Sequence, residues 1–164
     1  MSHVNDKGKL LKKLRSAFKN GDVRTFNATR VKLDKIGVCA PDLAGIRLKQ
    51  KLALRGINLQ RARLRDVHFA GSDLTQADLR EAACREVDLS RCDLTEAKLK
   101  GANLKKARFL EADVRRADFR KCNLDGAVFY VKTKRKKKAK KAKHLGSASF
   151  RGASQAPDLI ARFL

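Results

Sequence analysis

The sequence predicts an all-β solenoid of five-residue units, set between an N-terminal α-helical cap and a short C-terminal cap. Three observations predict it. From Leu54 to Phe129 an apolar residue recurs at every fifth position without a slip, sixteen times in all, as at Leu59, Leu64, Phe69, Leu74, Leu79 and Cys84. Two residues before each stands a second, mostly small residue, and nine of these sixteen are Ala. Between the two stands Asp or Asn nine times in sixteen, as in Ala77-Asp78-Leu79 and Ala102-Asn103-Leu104. A period of five fits neither the 3.6 of a helix nor the 2.0 of a strand, so every unit needs its own turn. One short extended piece and one corner per unit turn two residues inward and three outward. Stacking such coils buries a narrow core of alternating large and small side chains.

The elements follow in chain order. Residues 1–40 read as a helical cap and lead-in. Leu10, Leu11, Leu14 and Phe18 recur at helical spacing, and Asn20-Gly21 stops them. Asp22 is placed to cap a second helix carrying Val23, Phe26 and Leu33 and ending near Gly37. Residues 41–131 are the solenoid, continuous from 52. Pro41-Asp42-Leu43-Ala44-Gly45-Ile46-Arg47-Leu48 reads as two opening units, with one extra residue before Leu52 shifting the phase.

The pattern A-(D/N)-(L/F)-x-x over residues 52–131 resembles the pentapeptide-repeat family. Phe26-Asn27-Ala28-Thr29-Arg30 also resembles the short helical lead-in common before such repeats. The resemblance implies a right-handed quadrilateral β-helix with four pentapeptides per coil. Four coils at ~4.8 Å per rung make a stack roughly 20 Å tall. Its open ends need covers, since unpaired backbone invites end-to-end stacking and an end-to-end homodimer.

After Phe129 the repeat is interrupted. Nine of the twelve residues 132–143 are Lys or Arg, and such a block repels itself. Residues 132–147 therefore read as a mobile, Lys-rich loop. Ala148-Ser149-Phe150-Arg151-Gly152-Ala153 resumes the repeat in a new phase. Pro157, Leu159, Ile160, Phe163 and Leu164 complete the C-terminal cap over residues 148–164.

Charge points to the partner. The 164 residues carry 40 Lys+Arg and 17 Asp+Glu, a formal net charge of +23. Residues 1–51 hold +9, residues 52–131 only +4 and residues 132–164 +10. The excess thus lies at the two ends of the chain. Contact with a polyanion follows, and it should weaken with salt as counterions are released. The loop supplies Lys132, Lys134, Arg135, Lys136, Lys137, Lys138, Lys140, Lys141 and Lys143. If residues twenty apart stack, as the resemblance implies, Arg80, Lys100 and Arg120 form one basic column and Arg65, Arg85 and Lys105 a second. Asp73, Asp93 and Asp113 form an acidic column on a third face. Four Phe belong to the solenoid core and four to the caps, so Tyr130 alone remains as a candidate exposed ring. Single-strand platforms need several rings, so sequence-specific reading is not expected.

An enzyme is not expected either. His3, His68 and His144 are isolated, and no phosphate loop, nucleophile elbow or acid/base pair is present. Cys84, Cys92 and Cys122 fall at inward positions and Cys39 in the connector, with no metal-ligand spacing and no cofactor motif. The Asp and Asn at the middle positions read as a structural preference of the repeat, not as a metal site. No apolar run reaches the ~20 residues needed to span a bilayer, and residues 1–14 lack the apolar stretch of a secretory signal. The expectation is a cytoplasmic protein of bacterial type; in a eukaryotic host the basic run would address it to the nucleus. The leading reading is a non-enzymatic module for nucleic acid or another polyanion. The alternative is a protein–protein scaffold displaying the solenoid faces. Some members of the family bind type II topoisomerases by imitating duplex DNA, which implies modulation of such enzymes. That role needs an acidic rod, and this chain has the opposite sign.

Overall fold

Each unit turns because its last residue enters the left-handed region. In Ala77-Asp78-Leu79-Arg80-Glu81, Glu81 has φ 58° and the Ala82 N–H donates back to the Leu79 C=O at 3.1 Å. The same positive φ recurs at every fifth residue from Gly56 to Gly126, and eleven of these positions are not glycine. A side chain there costs on the order of 1 kcal/mol. The cost is met by burial of the large and small residues that each turn directs inward. Leu79, Ala82, Leu99, Ala102 and their equivalents up to Leu124 are almost wholly buried, and Ala127 in the last turn is half-buried.

The structure, a computed structural model, describes residues 2–48, 51–131, 140–141 and 149–150. Parallel one-residue bridges join positions twenty apart, as in Asn58 to Asp78 to Lys98 to Asp118. Four units therefore complete one coil, and the middle residues stack in columns. Near the start, Asp42 bridges Arg63 and Arg47 bridges His68, a spacing of twenty-one. The additional residue lies between these bridges and the regular register that begins at Ala53 with Asp73.

The preference for Asp or Asn has a direct cause. All nine such residues at middle positions of 52–131, among them Asn58, Asp78, Asn103 and Asp118, accept a bond from the N–H two residues on, at 2.8–3.2 Å. That N–H is not used by the ladder between coils, and the side chain satisfies it as an Asx turn does.

Helix α1 (Ser2–Asn20) buries Leu14, Ala17 and Phe18, and helix α2 (Val23–Lys35) buries Phe26, Thr29, Arg30 and Leu33. Gly21 turns between them at φ 71°, where a Cβ would lie 3.3 Å from a Leu52 methyl. Asp22 caps α2 by accepting the Thr25 N–H at 2.9 Å. Past the last turn, Gly37 at φ 80° lets the Val38 N–H return to the Leu33 C=O at 2.9 Å.

The helices meet the first coil through three side chains. The Phe18 ring lies edge-on to Phe69 with centroids 5.8 Å apart. Asn27 accepts the Asn58 N–H at 2.8 Å and donates to the Gly56 C=O at 3.0 Å. Arg30, 3% exposed, donates to the carbonyls of Val38, Cys39 and Gln60 and pairs with Asp34. One coil up, the groups equivalent to Asn58 N–H and Gln60 C=O bond to backbone below: Asp78 N–H to Ile57 C=O, and Arg80 C=O from Arg61 N–H. Asn27 and Arg30 thus stand in for the rung that residues 41–48 do not supply.

At the far end the register breaks once more. Asp118 bridges Ser149, thirty-one residues on, so eleven residues beyond the usual twenty are spliced out of the coil. Phe150 stacks on Phe119 at 4.9 Å and 4°, beside Phe109 stacked on Phe129 at 4.5 Å and 7°. Strands β1 (Tyr130–Val131) and β2 (Lys140–Lys141) pair antiparallel, Tyr130 with Lys141 and Val131 with Lys140. Lys140 and Lys141, expected within a mobile loop, are therefore in a strand, because Tyr130 and Val131 offer them an extended partner. The expected cap beyond residue 150 lies outside the described residues.

Candidate nucleic-acid interface

The stacking of positions twenty apart sets the two expected basic columns. Carbonyls of Arg80, Lys100 and Arg120 accept from successive coils, as do those of Arg85 and Lys105. The columns are nevertheless not bare cations. Arg80 forks onto Asp78 at 2.9 and 2.6 Å, and Arg120 onto Asp118 at 2.8 and 2.7 Å. Arg85 lies 3.2 Å from Glu86 and Arg65 3.4 Å from Asp66. Among the described residues only Lys100 and Lys105 of the six make no ion pair. Hydrogen bonds from Arg120 hold the Asp118 carboxyl below its usual range, and those from Arg85 do the same for Glu86.

The forks arise from the Asx turn itself. The carboxylate that accepts the N–H two residues on also meets the side chain of that residue. Asp78-Leu79-Arg80, Asp113-Val114-Arg115 and Asp118-Phe119-Arg120 all follow this rule. Asp-x-Arg at the middle position was the readable signal. The corners add a second ladder, with Arg61 on Glu81, Arg91 on Glu111, Arg116 on Glu96 and Lys106 on Glu86. Nine of the sixteen cations in residues 52–131 are ion-paired in this way.

The helices differ. Lys7, Lys9, Lys12, Lys13, Arg15, Lys19, Arg24, Lys32 and Lys35 are all exposed. None is in an ion pair among the described residues. The sequence placed basic charge in this region, but residue by residue it singled out the columns and the loop. Of the loop cations, Lys140 and Lys141 lie in β2, while Lys132, Lys134, Arg135, Lys136, Lys137, Lys138 and Lys143 lie outside the described residues. Tyr130 is in β1.

Among the described residues no cluster of three or more His, Cys, Asp or Glu is placed to hold a metal ion. Cys84, Cys92 and Cys122 are buried, and burial pushes the thiols of Cys92 and Cys122 up to about 12. Cys92 donates to the Phe69 carbonyl and Cys122 to the Leu99 carbonyl. Cys39 is exposed. His68 is exposed at a middle position. Among the described residues no helix is long and apolar enough to cross a membrane.

A pentapeptide repeat protein from the Arabidopsis thaliana thylakoid lumen is 28% identical, over 58% of this chain and 69% of that one, with a TM-score of 0.46. A pentapeptide repeat protein from Nostoc Pcc 7120 is 31% identical, over 61% and 72%, with a TM-score of 0.22. Rfr23 from the cyanobacterium Cyanothece 51142 is 20% identical, over 79% and 93%, with a TM-score of 0.35. No curated protein matches the sequence. Residues 62–133 match the family described as a pentapeptide repeat region, and the chain belongs to the pentapeptide-repeat family.

Proposed function

We propose that this protein is a non-enzymatic binding module for the phosphate backbone of DNA or RNA, with low sequence selectivity. In this reading the coil is right-handed and capped at both ends. The helices α1 and α2 offer one basic surface, and the segment 132–143 a second. The observation that carries the proposal is the contrast in compensation. Nine exposed cations of the helices have no ion pair among the described residues, whereas nine of the sixteen solenoid cations are paired. Uncompensated Lys and Arg bind phosphate and release counterions; paired ones must first give up a carboxylate.

Titration of a fluorescent DNA duplex and an RNA hairpin across salt tests the proposal. Affinity should fall linearly on a log–log plot, with a slope near 0.9 for each phosphate contacted in duplex DNA. Replacing Lys9, Lys12, Lys13 and Arg15 together by Gln should lower that slope, and deleting residues 134–143 should lower it separately. An absence of binding at low salt, or binding with no salt slope, overturns the reading.

A further inference from the structure

We propose that the cleft between α1 and α2 is a docking site for a short acidic segment of a partner protein, one carrying one or two apolar side chains between carboxylates. The cleft encloses about 750 Å³ and is bounded by Asp6, Lys7, Lys9 and Leu10 of α1 and by Lys32, Lys35 and Ile36 at the end of α2. Its chemistry is two-part. Part of the lining is apolar: Leu10 is half-buried, while Ile36 is 50% exposed, one of the two large hydrophobic residues left exposed among the described residues. The rest of the lining is cationic, with four lysines against one aspartate among the described residues. Lysine stems add apolar wall while their ammonium heads stay in water.

These features select the occupant. A nucleic-acid backbone would satisfy the lysines but has no aliphatic group for the apolar part, and among the described residues no aromatic ring lines the cleft to stack on a base. A bilayer is flat on this scale, whereas the site is concave. Four lysines facing one carboxylate favour an anionic ligand, and Ile36 and Leu10 favour an aliphatic side chain between the charges. The lining spans about one helical turn on each helix, so the ligand contacts it over one or two side chains. The proposal goes beyond nucleic-acid binding and does not depend on it.

The test uses the full chain and a fluorescein-labelled peptide of glutamates flanking two leucines, measured by anisotropy. A glutamate-only peptide of equal length and vesicles of mixed neutral and anionic lipid are run beside it. Wild-type protein should bind the Glu/Leu peptide more tightly than the glutamate-only one. Ile36→Gln, at an exposed position, should keep its circular dichroism and lose about tenfold in peptide affinity. Lys32→Glu with Lys35→Glu should lose more, and added salt should weaken the wild-type complex. The DNA salt slope should be the same in Ile36→Gln as in wild type. Equal affinity for both peptides, or no loss in Ile36→Gln, overturns the proposal. Binding to the vesicles and to neither peptide overturns it in favour of a membrane surface.

Discussion

The two ends of the solenoid solve the same problem by different chemistry. Each end coil has backbone groups that the neighbouring coil would otherwise satisfy. At the lower end, residues 41–48 pair by backbone with Arg63 and His68, and where they do not reach, side chains imitate backbone: Asn27 and Arg30 from α2 meet Asn58 and Gln60, and Phe18 covers Phe69. At the upper end, backbone itself returns after a detour. Ser149 bridges Asp118, and Phe150 continues the stack on Phe119. What is special to the lower closure is its pair of polar side chains, which depend on one geometry. What is special to the upper one is its stack of Phe rings, which depends on filled volume. A repeat whose interfaces are all alike needs such special endings only where the repetition stops.

Breaking the upper end should have the largest effect. Phe119 touches Phe109, Phe129 and Phe150, with ring centroids 4.9–6.1 Å away. Phe119→Ala should cost about 3–5 kcal/mol in urea unfolding. Hydrogen exchange should rise first in residues 99–129 and last near Leu59. At the lower end, Arg30→Ala strands the Gln60 and Cys39 carbonyls and leaves Asp34 without its partner. A loss of about 3 kcal/mol is expected, with exchange rising first at residues 54–60. Arg30→Lys should not restore stability, because one ammonium cannot reach the four groups that the guanidinium fork meets. Asn27→Ala removes one acceptor and one donor from the same end and should cost about 1–2 kcal/mol.

Smaller effects sharpen the comparison. Lys121 sits at φ 57° with no ion pair among the described residues, so Lys121→Gly should stabilise the upper coil by about 0.5–1 kcal/mol in the same titration. The Asp118 carboxyl is held low by hydrogen bonds from Arg120. Its stabilising contribution is therefore complete above the unfolded carboxylate value, near ~3.9, and is lost as pH falls through its lower folded value. Asp118→Asn should reduce the drop in Tm below pH 4 while leaving the upper coil's Asx bond in place. An unchanged acid limb would show that Asp118 adds nothing to acid sensitivity.

Much of the fold was legible because it is local. The five-residue period follows from one turn per unit. Asp22 and Gly21 also mark their helix boundaries by local chemistry. Arg30 was not legible, since an arginine in a helix reads as an outer-face cation until the first coil is in place. Nor was the neutralisation of the columns. It depends on the Asx carboxylate meeting the arginine two residues on, and on corner residues twenty apart facing each other. The candidate interface was half legible: the sequence located the net charge, while only pairing in space decided which cations remain uncompensated.

By itself the sequence determined the repeat, its phase slips and the concentration of charge at the chain's ends. These follow from residue spacing and counting, which need no knowledge of distant neighbours. The tertiary structure decided the four-unit coil, the side-chain mimicry of a missing rung and the cleft between the two helices. Each of these joins residues about twenty or more positions apart, and the energy that holds them arises only once the coils have stacked.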